Sequence, residues 1–297
     1  MSFCSTIKNE LSDIKVSSCC KMPLIYGFLL FSRSFSFKKI CMQTENEKTA
    51  KLYAKLLSEV YSADVKIEKG GKTVETFRAQ VINDGDILRI LASVDFGIYE
   101  NLINEDAFLR ECCKASFIRG AFLACGHLAD PNKCYRVDFY VKDEKLAQEL
   151  VSFLSHYEIE ARISIRAGAF NVYIKKSETV INLLTLIGAS ARSLELIETT
   201  IIKSVKNNMN RASNCDNANI NKTVEASLKQ RNAIRYLEQK NMLETLPSEL
   251  VAAAKLRMEY PELSLKQLCK ESDEPITVSG LNHRLKRIMD IYNEKKK

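Results

Sequence analysis

The chain has 297 residues, of which 46% are hydrophobic and 27% charged; this is ample apolar material for packed cores and excludes disorder over most of the length. Ten glycines and five prolines are too few for collagen-like or loop-dominated architectures and favour long helices. The net charge of +7 is compatible with an anionic partner but does not require one.

At roughly 100–200 residues per domain the length predicts two domains or three. The ten cysteines include no CxxC, and only three histidines accompany them, so no zinc site, no other metal site and no cofactor is expected. The thiols read as reduced, core-filling residues of a cytoplasmic protein. Met22–Phe31 is apolar, but Glu10 and Asp13 precede it and no small-residue cleavage site follows, so it is not read as a signal peptide. No apolar run is long enough for a membrane span.

An internal repeat organises the first two thirds. CCKMPLIYGFLL from Cys19 and CCKASFIRGAFL from Cys112 share six of twelve residues at an offset of 93, Gly27/Gly120 among them. The similarity resumes at an offset of 97, where ENEKTAKLYAKLL from Glu45 aligns with KDEKLAQELVSFL from Lys142. The four extra residues fit an insertion at the turn signal Asp130–Lys133.

In chain order, each copy opens with an apolar helix carrying the glycine. A strand follows, Phe35–Thr44 or Tyr135–Val141, then an amphipathic helix, Glu45–Tyr61 or Asp143–Tyr157. Two strands close each unit: Asp64–Glu68 and Val74–Val81, then Glu160–Arg166 and Phe170–Lys175, the latter pair joined at Ala167-Gly168-Ala169. Helices are expected after the first copy at about Asp86–Phe96 and Asn104–Glu111, and after the second at Ser177–Ile187 and Ala191–Asn207. A glycine inside a helix lowers its propensity by ~1 kcal/mol relative to alanine. Two readings are open: close approach of the Gly27 and Gly120 helices on a pseudo-two-fold axis, with the strands forming one saddle-shaped antiparallel sheet, or glycines that merely sit in a tight core.

LIYGFLLFSRSF and FIRGAFLACGHL resemble degenerate copies of the LAGLIDADG helix of homing endonucleases. In active members each motif ends in an acid, and the two acids hold divalent metal for phosphodiester hydrolysis. Alignment on the glycines puts Ser32 and Cys125 at those positions, and neither replaces a carboxylate. The opening SFCSTIKNEL, ECCKASFIRGAFLACGHLADP, NRASNCDNANINKTV and the tail LPSELVAAAKLRMEYPELSLKQLCKESDEPITVSGLNHRLKRI together resemble the WhiA regulators of Gram-positive bacteria. That resemblance implies an α+β protein: a duplicated LAGLIDADG-like domain over 1–205, with repeats at about 19–96 and 112–187, and an all-α helix-turn-helix domain. It implies a non-catalytic, sequence-specific regulator that binds double-stranded DNA in the cytoplasm, at the nucleoid, in cell division, chromosome segregation and, in sporulating relatives, sporulation. Two other readings are kept: a metal-dependent endonuclease, and a bridging protein whose N-terminal sheets hold another transcription regulator. Lys38, Lys39, Arg136, Arg162, Arg166, Lys175 and Lys176 lie on or near the strands, but Glu68, Asp138 and Glu160 interrupt them, so DNA and protein remain equal candidates for that surface.

KNNMNRASNCDNANIN, within 206–222, is rich in Asn and nearly free of large apolar residues, and reads as a surface connector. It is either a plain tether or, through Arg211, Asn214 and Cys215 of the family motif, a docking segment. From 223 to 297 the chain reads as helical: Thr223 to about Asn241, a helix from Pro247–Ser248 to Pro261, a short helix capped by Ser264, and a last helix capped by Thr277 or Ser279 and running to about Tyr292. The last two, at about 264–293, have helix-turn-helix dimensions. Leu281, Leu285, Ile288 and Tyr292 make the apolar stripe of the last helix. The opposite face carries Ser279, His283, Lys286, Arg287 and Asp290, with Asn282 at its edge; Ser279, Asn282 and His283 suit base edges, and Arg284, Lys286 and Arg287 suit phosphates. Charge supports this placement: residues 221–276 hold nine Lys/Arg and nine Asp/Glu, whereas 277–297 hold six and two. His283 has no nearby ligand partner for metal or catalysis, His127 reads as an interface or surface residue, and His156 as structural.

Overall fold

The computed structural model describes residues 2–71, 73–94, 103–105, 108, 110–166 and 168–296, and divides into two compact units, 1–203 and 204–297. The first unit opens with helix α1 (Phe3–Asp13), which the sequence pattern does not announce. Ser2 caps it by accepting from the Ser5 amide, and Cys4, Ile7 and Leu11 form its buried stripe.

The repeat then appears twice. The first copy runs through α2 (Ser18–Phe31), β1 (Ser34–Ser36), β2 (Lys39–Thr44), α3 (Glu47–Tyr61), β3 (Val65–Gly70), β4 (Thr76–Val81) and α4 (Asp84–Ser93). The second runs through α5 (Glu111–Cys125), β5 (Gly126–Leu128), β6 (Val137–Val141), α6 (Glu144–Ser155), β7 (Arg162–Arg166), β8 (Ala169–Ile174) and α7 (Ser177–Ile187). Even the caps keep register. Asn46 accepts from the Thr49 amide at the start of α3, and Asp143, at the offset of 97, accepts from the Leu146 amide at the start of α6. The inserted turn lies between β5 and β6, where the Asn132 amide donates to the Asp130 carboxylate.

The strands form two four-stranded antiparallel sheets, β1-β2-β4-β3 and β5-β6-β8-β7, rather than the single sheet expected. In the first copy the expected strand Phe35–Thr44 is a hairpin pair, β1 and β2; in the second, β6 lies within the expected Tyr135–Val141 and pairs with β5, which was not expected. The expected helix end at Phe96 and part of Asn104–Glu111 lie outside the described residues. Within the latter stretch, Phe108 is buried against Tyr26 and Phe117.

Helices α2 and α5 form the centre of this unit. From Leu24 to Leu30 the first is buried all round, and Phe117–Leu123 includes five fully buried apolar side chains. The close-approach reading of the glycines is the one observed. A Cβ on Gly27 would overlap the Phe117 carbonyl oxygen and lie 3.0 Å from the Ala121 nitrogen. A Cβ on Gly120 would overlap the Leu24 carbonyl oxygen and lie 2.9 Å from the Phe28 nitrogen. Each glycine thus admits the other helix's backbone.

Helix α8 spans Ser190–Gln239 without interruption, so 206–222 is helical and exposed, not a loop connector, and no helix begins at Thr223. The reason is visible in the sequence: no Gly or Pro occurs between Gly188 and Pro247. Asn and Ser lower helix propensity by only a few tenths of a kcal/mol per residue, roughly, which does not break a helix. The second unit continues with a 3₁₀ turn at Leu243–Thr245, then α9 (Ser248–Glu259), α10 (Leu265–Leu268) and α11 (Val278–Lys296). Its core joins Ile234 and Leu237 of α8 to Leu250 and Ala254 of α9, Leu268 of α10, and Leu281, Leu285 and Ile288 of α11. No helix among the described residues is long and apolar enough to cross a membrane.

Gly27→Ala and Gly120→Ala are each expected to destabilise the first unit by about 1–3 kcal/mol or more, because a methyl must push two backbones apart. Gly85→Ala on α4, where a Cβ meets nothing, is the control and should be neutral or mildly stabilising. Denaturant melts of the three variants check this.

Candidate nucleic-acid interface

The start of α11 is fixed by Thr277, whose hydroxyl accepts from the Gly280 amide at 3.1 Å, while its carbonyl accepts from the Leu281 amide. Ser279 is therefore free of the capping role. The preceding α10 carries a full capping box: the Ser264 hydroxyl accepts from the Gln267 amide, and the Gln267 side chain accepts from the Ser264 amide. With Leu281, Leu285 and Ile288 buried and Tyr292 half-buried, the opposite stripe is forced outward. Ser279, Asn282, His283, Lys286 and Arg287 are all exposed on it, together with Asp290.

Arg284 differs from this set. Its guanidinium lies 3.3 Å from the Glu249 carboxylate of α9, and its side chain is only 25% exposed, so it sits on the flank and ties α11 to α9. At the other end of the helix, the Tyr236 and Tyr292 rings meet edge to face at 5.1 Å, and Lys296 donates to the Tyr292 hydroxyl. Lys266 and Lys270, exposed on and just after α10, were not singled out from the sequence. Their signal was the same outward periodicity that marks the final helix.

Arg257 was also missed. It is 2% exposed within α9, and its Nη1 donates to the Leu263 carbonyl at 2.7 Å and the Tyr260 carbonyl at 3.5 Å. Burial pushes its pKa down from the usual arginine value. The side chain clamps the α9–α10 connection, and Ser227 of α8 reinforces it by donating to the Pro261 carbonyl. This fixes where α10 begins and hence how α10 and α11 meet.

In the first unit, Ser32 caps α2 and its hydroxyl donates to the Leu29 carbonyl of its own helix. Cys125 is the last residue of α5, and burial pushes its thiol up to about 12. Near Cys125 lies a cation, Lys8, with Glu45 beside it. Lys8 of α1 donates to the Leu123 carbonyl at 3.3 Å, and burial lowers its pKa while the neighbouring Cys4, Cys125 and Glu45 favour its charge. Burial raises the Cys4 thiol, but a hydrogen bond with His127 and the charge of Lys8 outweigh it and leave Cys4 below its usual value. A site built around a lysine and a protonated thiol is a poor host for Mg²⁺, which takes oxygen ligands.

The outer faces of the two sheets differ. On the first, Lys39, Lys66 and Arg78 face outward with Glu68, which is bound to Lys66 at 2.9 Å. On the second, Asp138 is buried beneath Arg136, which grips it through Nε and Nη2, and it also accepts from Asn171 at 2.7 Å. Arg136 stacks on Tyr173, Lys175 lies over the same ring, and Lys176 is held by Glu160. Lys38 and Arg162 are exposed. The side chain of Arg166 lies outside the described residues.

Comparison with known proteins gives these features a family. Residues 114–206 match the WhiA LAGLIDADG-like domain and residues 209–292 the WhiA C-terminal HTH domain. The probable cell division protein WhiA of Caldicellulosiruptor saccharolyticus is 34% identical over the whole chain, which covers 96% of that relative. The chain belongs to the WhiA family. The probable cell division protein WhiA of Clostridium botulinum (strain Hall) is 32% identical, again over the whole chain and 99% of the relative. The crystal structure of full-length DUF199/WhiA from Thermatoga maritima has the same fold, with a TM-score of 0.61 at 23% identity over 99% of both chains. The N-terminal LAGLIDADG domain of DUF199/WhiA matches at a TM-score of 0.51 and 18% identity, over 63% of this chain and 92% of that one. In this WhiA-family chain the HTH match covers α10 and α11 as far as Tyr292.

Arg257→Met should keep the volume but orphan the Leu263 carbonyl, lowering the stability of the second unit by about 1–3 kcal/mol. A thermal melt of the full chain read at a reporter placed in α9 checks it.

Proposed function

We propose that this chain is a non-catalytic regulator of cell division that reads double-stranded DNA through α11. The observation that carries the reading is the outward stripe of a capped helix, with hydrogen-bonding side chains in its first turns and cations in the middle. Ser279, Asn282 and His283 lie near the N-terminal end, where major-groove readers contact base edges. Lys286 and Arg287 follow one turn later and suit phosphates, which set register and supply most of the affinity. Arg284 contributes less than its charge suggests, because Glu249 already shares it. Such a protein works in the cytoplasm at the nucleoid; roles in chromosome segregation and, in sporulating relatives, sporulation fit the same activity.

The endonuclease reading is disfavoured by Lys8, Ser32 and Cys125, which supply no paired carboxylates where the chemistry needs them. A bridging role for the first unit draws support from its second sheet. With Asp138 neutralising Arg136, and Tyr140 46% exposed beside it, that face suits another regulator better than a phosphate backbone.

Lys286→Ala combined with Arg287→Ala should weaken binding to duplex fragments of the host genome by about tenfold or more and reduce the salt slope by about two. Unchanged affinity in fluorescence anisotropy would remove α11 as the reader. His283→Ala or Asn282→Ala should instead relax base preference by about 1–3 kcal/mol per contacted base pair, measured by binding selection on randomised duplexes. Incubated with supercoiled plasmid and Mg²⁺ or Mn²⁺, the protein should leave the plasmid intact; nicking that EDTA abolishes would reinstate the nuclease.

A further inference from the structure

The sequence pattern presents the ten cysteines as separate thiols and predicts no metal. The fold gathers four of them. Cys19 and Cys20 open α2, and Cys112 and Cys113 open α5, at equivalent positions of the two copies. The helices that cross at Gly27 and Gly120 therefore bring their first turns together as well. The four sulfur atoms all lie within 4.8 Å of one another, with Cys19 3.7 Å from Cys20 and 4.0 Å from Cys112. Cys20 and Cys113 are buried, while Cys19 and Cys112 are exposed.

The thiols are also held in place symmetrically. The Cys20 thiol donates to the Cys112 carbonyl at 3.4 Å, and the Cys113 thiol donates to the Cys19 carbonyl at 3.3 Å. The Cys19 carbonyl needs that donor, because the residue four positions on is Pro23, which has no N–H to offer it. Each buried sulfur thus reaches across the dyad to the other helix.

We propose that Cys19, Cys20, Cys112 and Cys113 form a tetrathiolate site for a single zinc-type ion, clasping the N-terminal ends of α2 and α5. Four sulfurs around Zn²⁺ at about 2.3 Å stand roughly 3.8 Å apart, so the observed spacing needs only side-chain adjustment. Soft thiolates without oxygen ligands select zinc over magnesium or calcium. An iron–sulfur cluster spreads its cysteines over several iron atoms and needs a wider span than these four sulfurs have. The two converging helix N-termini favour the thiolate charge, whereas Lys21 and Lys114, the next residue after each cysteine pair, are already paired with Glu59 and Glu111. Binding is ligand exchange: each thiol loses its proton to water, each sulfur replaces a water on the ion, and nothing is oxidised or reduced. The site stands independently of the DNA-reading proposal.

The test uses the full chain, purified under reducing conditions from zinc-supplemented cells. Elemental analysis should find about one zinc per chain. After chelation, anaerobic Co²⁺ should give the visible bands of tetrahedral thiolate coordination, which zinc then abolishes. The variant Cys19→Ser with Cys112→Ser removes only exposed sulfurs; it should keep its far-ultraviolet circular dichroism and lose metal at least about tenfold. If that variant fails to fold, thiol alkylation of the wild-type chain decides: zinc should protect the four cysteines, and EDTA should expose them. A folded, reduced wild-type chain with under about a tenth of an equivalent of zinc and no cobalt bands would overturn the site. So would a double variant that retains its full metal content, or alkylation indifferent to zinc.

Discussion

Two helices that touch backbone to backbone leave no room for a side chain at the crossing, and the N-terminal unit is arranged around that contact. Gly27 receives the Phe117 carbonyl, and Gly120 receives the Leu24 carbonyl. Once those atoms meet, a rotation axis is set, and everything attached to one helix has a counterpart on the other. Sheets, caps and hairpins follow in duplicate, with the aromatic residues Tyr26, Phe108, Phe117 and Phe153 packed beside the crossing. The helices' first turns converge as a result, and so do the cysteines that open them.

The opposite ends of the same helices carry donors rather than a matched pair of acids. A LAGLIDADG frame that cuts DNA needs anionic oxygens there. Here Ser32 satisfies a carbonyl of its own helix, and Lys8 reaches from α1 to do the same for Leu123. Both donors meet carbonyls at the helix ends, the Leu29 carbonyl also accepting from the Ser32 amide, which stabilises those ends. In the second unit, a buried Arg257 and two capped helix starts hold α10 and α11 in a defined relation.

The repeat was legible because its signals are local: six shared residues in a run of twelve, a glycine among them, and N-cap residues at a constant offset. The stripe of α11 was legible for the same reason, since its period is carried by neighbouring residues. What escaped depends on distance in sequence. Cys19 and Cys112 are 93 residues apart, and spacing rules for metal ligands look within a few residues. The repeat contained the answer, however: residues at equivalent positions near a two-fold axis meet, and the cysteines obey that rule as the glycines do. The stretch 206–222 was misread for another reason. Its composition reads as a surface connector, and it is exposed, but the absence of any Gly or Pro from it leaves it within one continuous helix. Arg284 shows the finer limit: the sequence groups it with Lys286 and Arg287 for phosphates, and the Glu249 that occupies it is distant in the chain.

The lengths of the two copies carry a history. The second copy gains four residues before β6 and gives up four between β7 and β8, so α7 returns to the offset of 93 at which α5 began. Growth and loss are confined to hairpin tips, far from the crossing. The central helices tolerate no such drift, because any shift along one would slide its glycine away from the other's carbonyl. Duplicated halves of this kind are thus free to diverge at their rims while being locked at the hub, and a change at the hub demands an answering change in its twin.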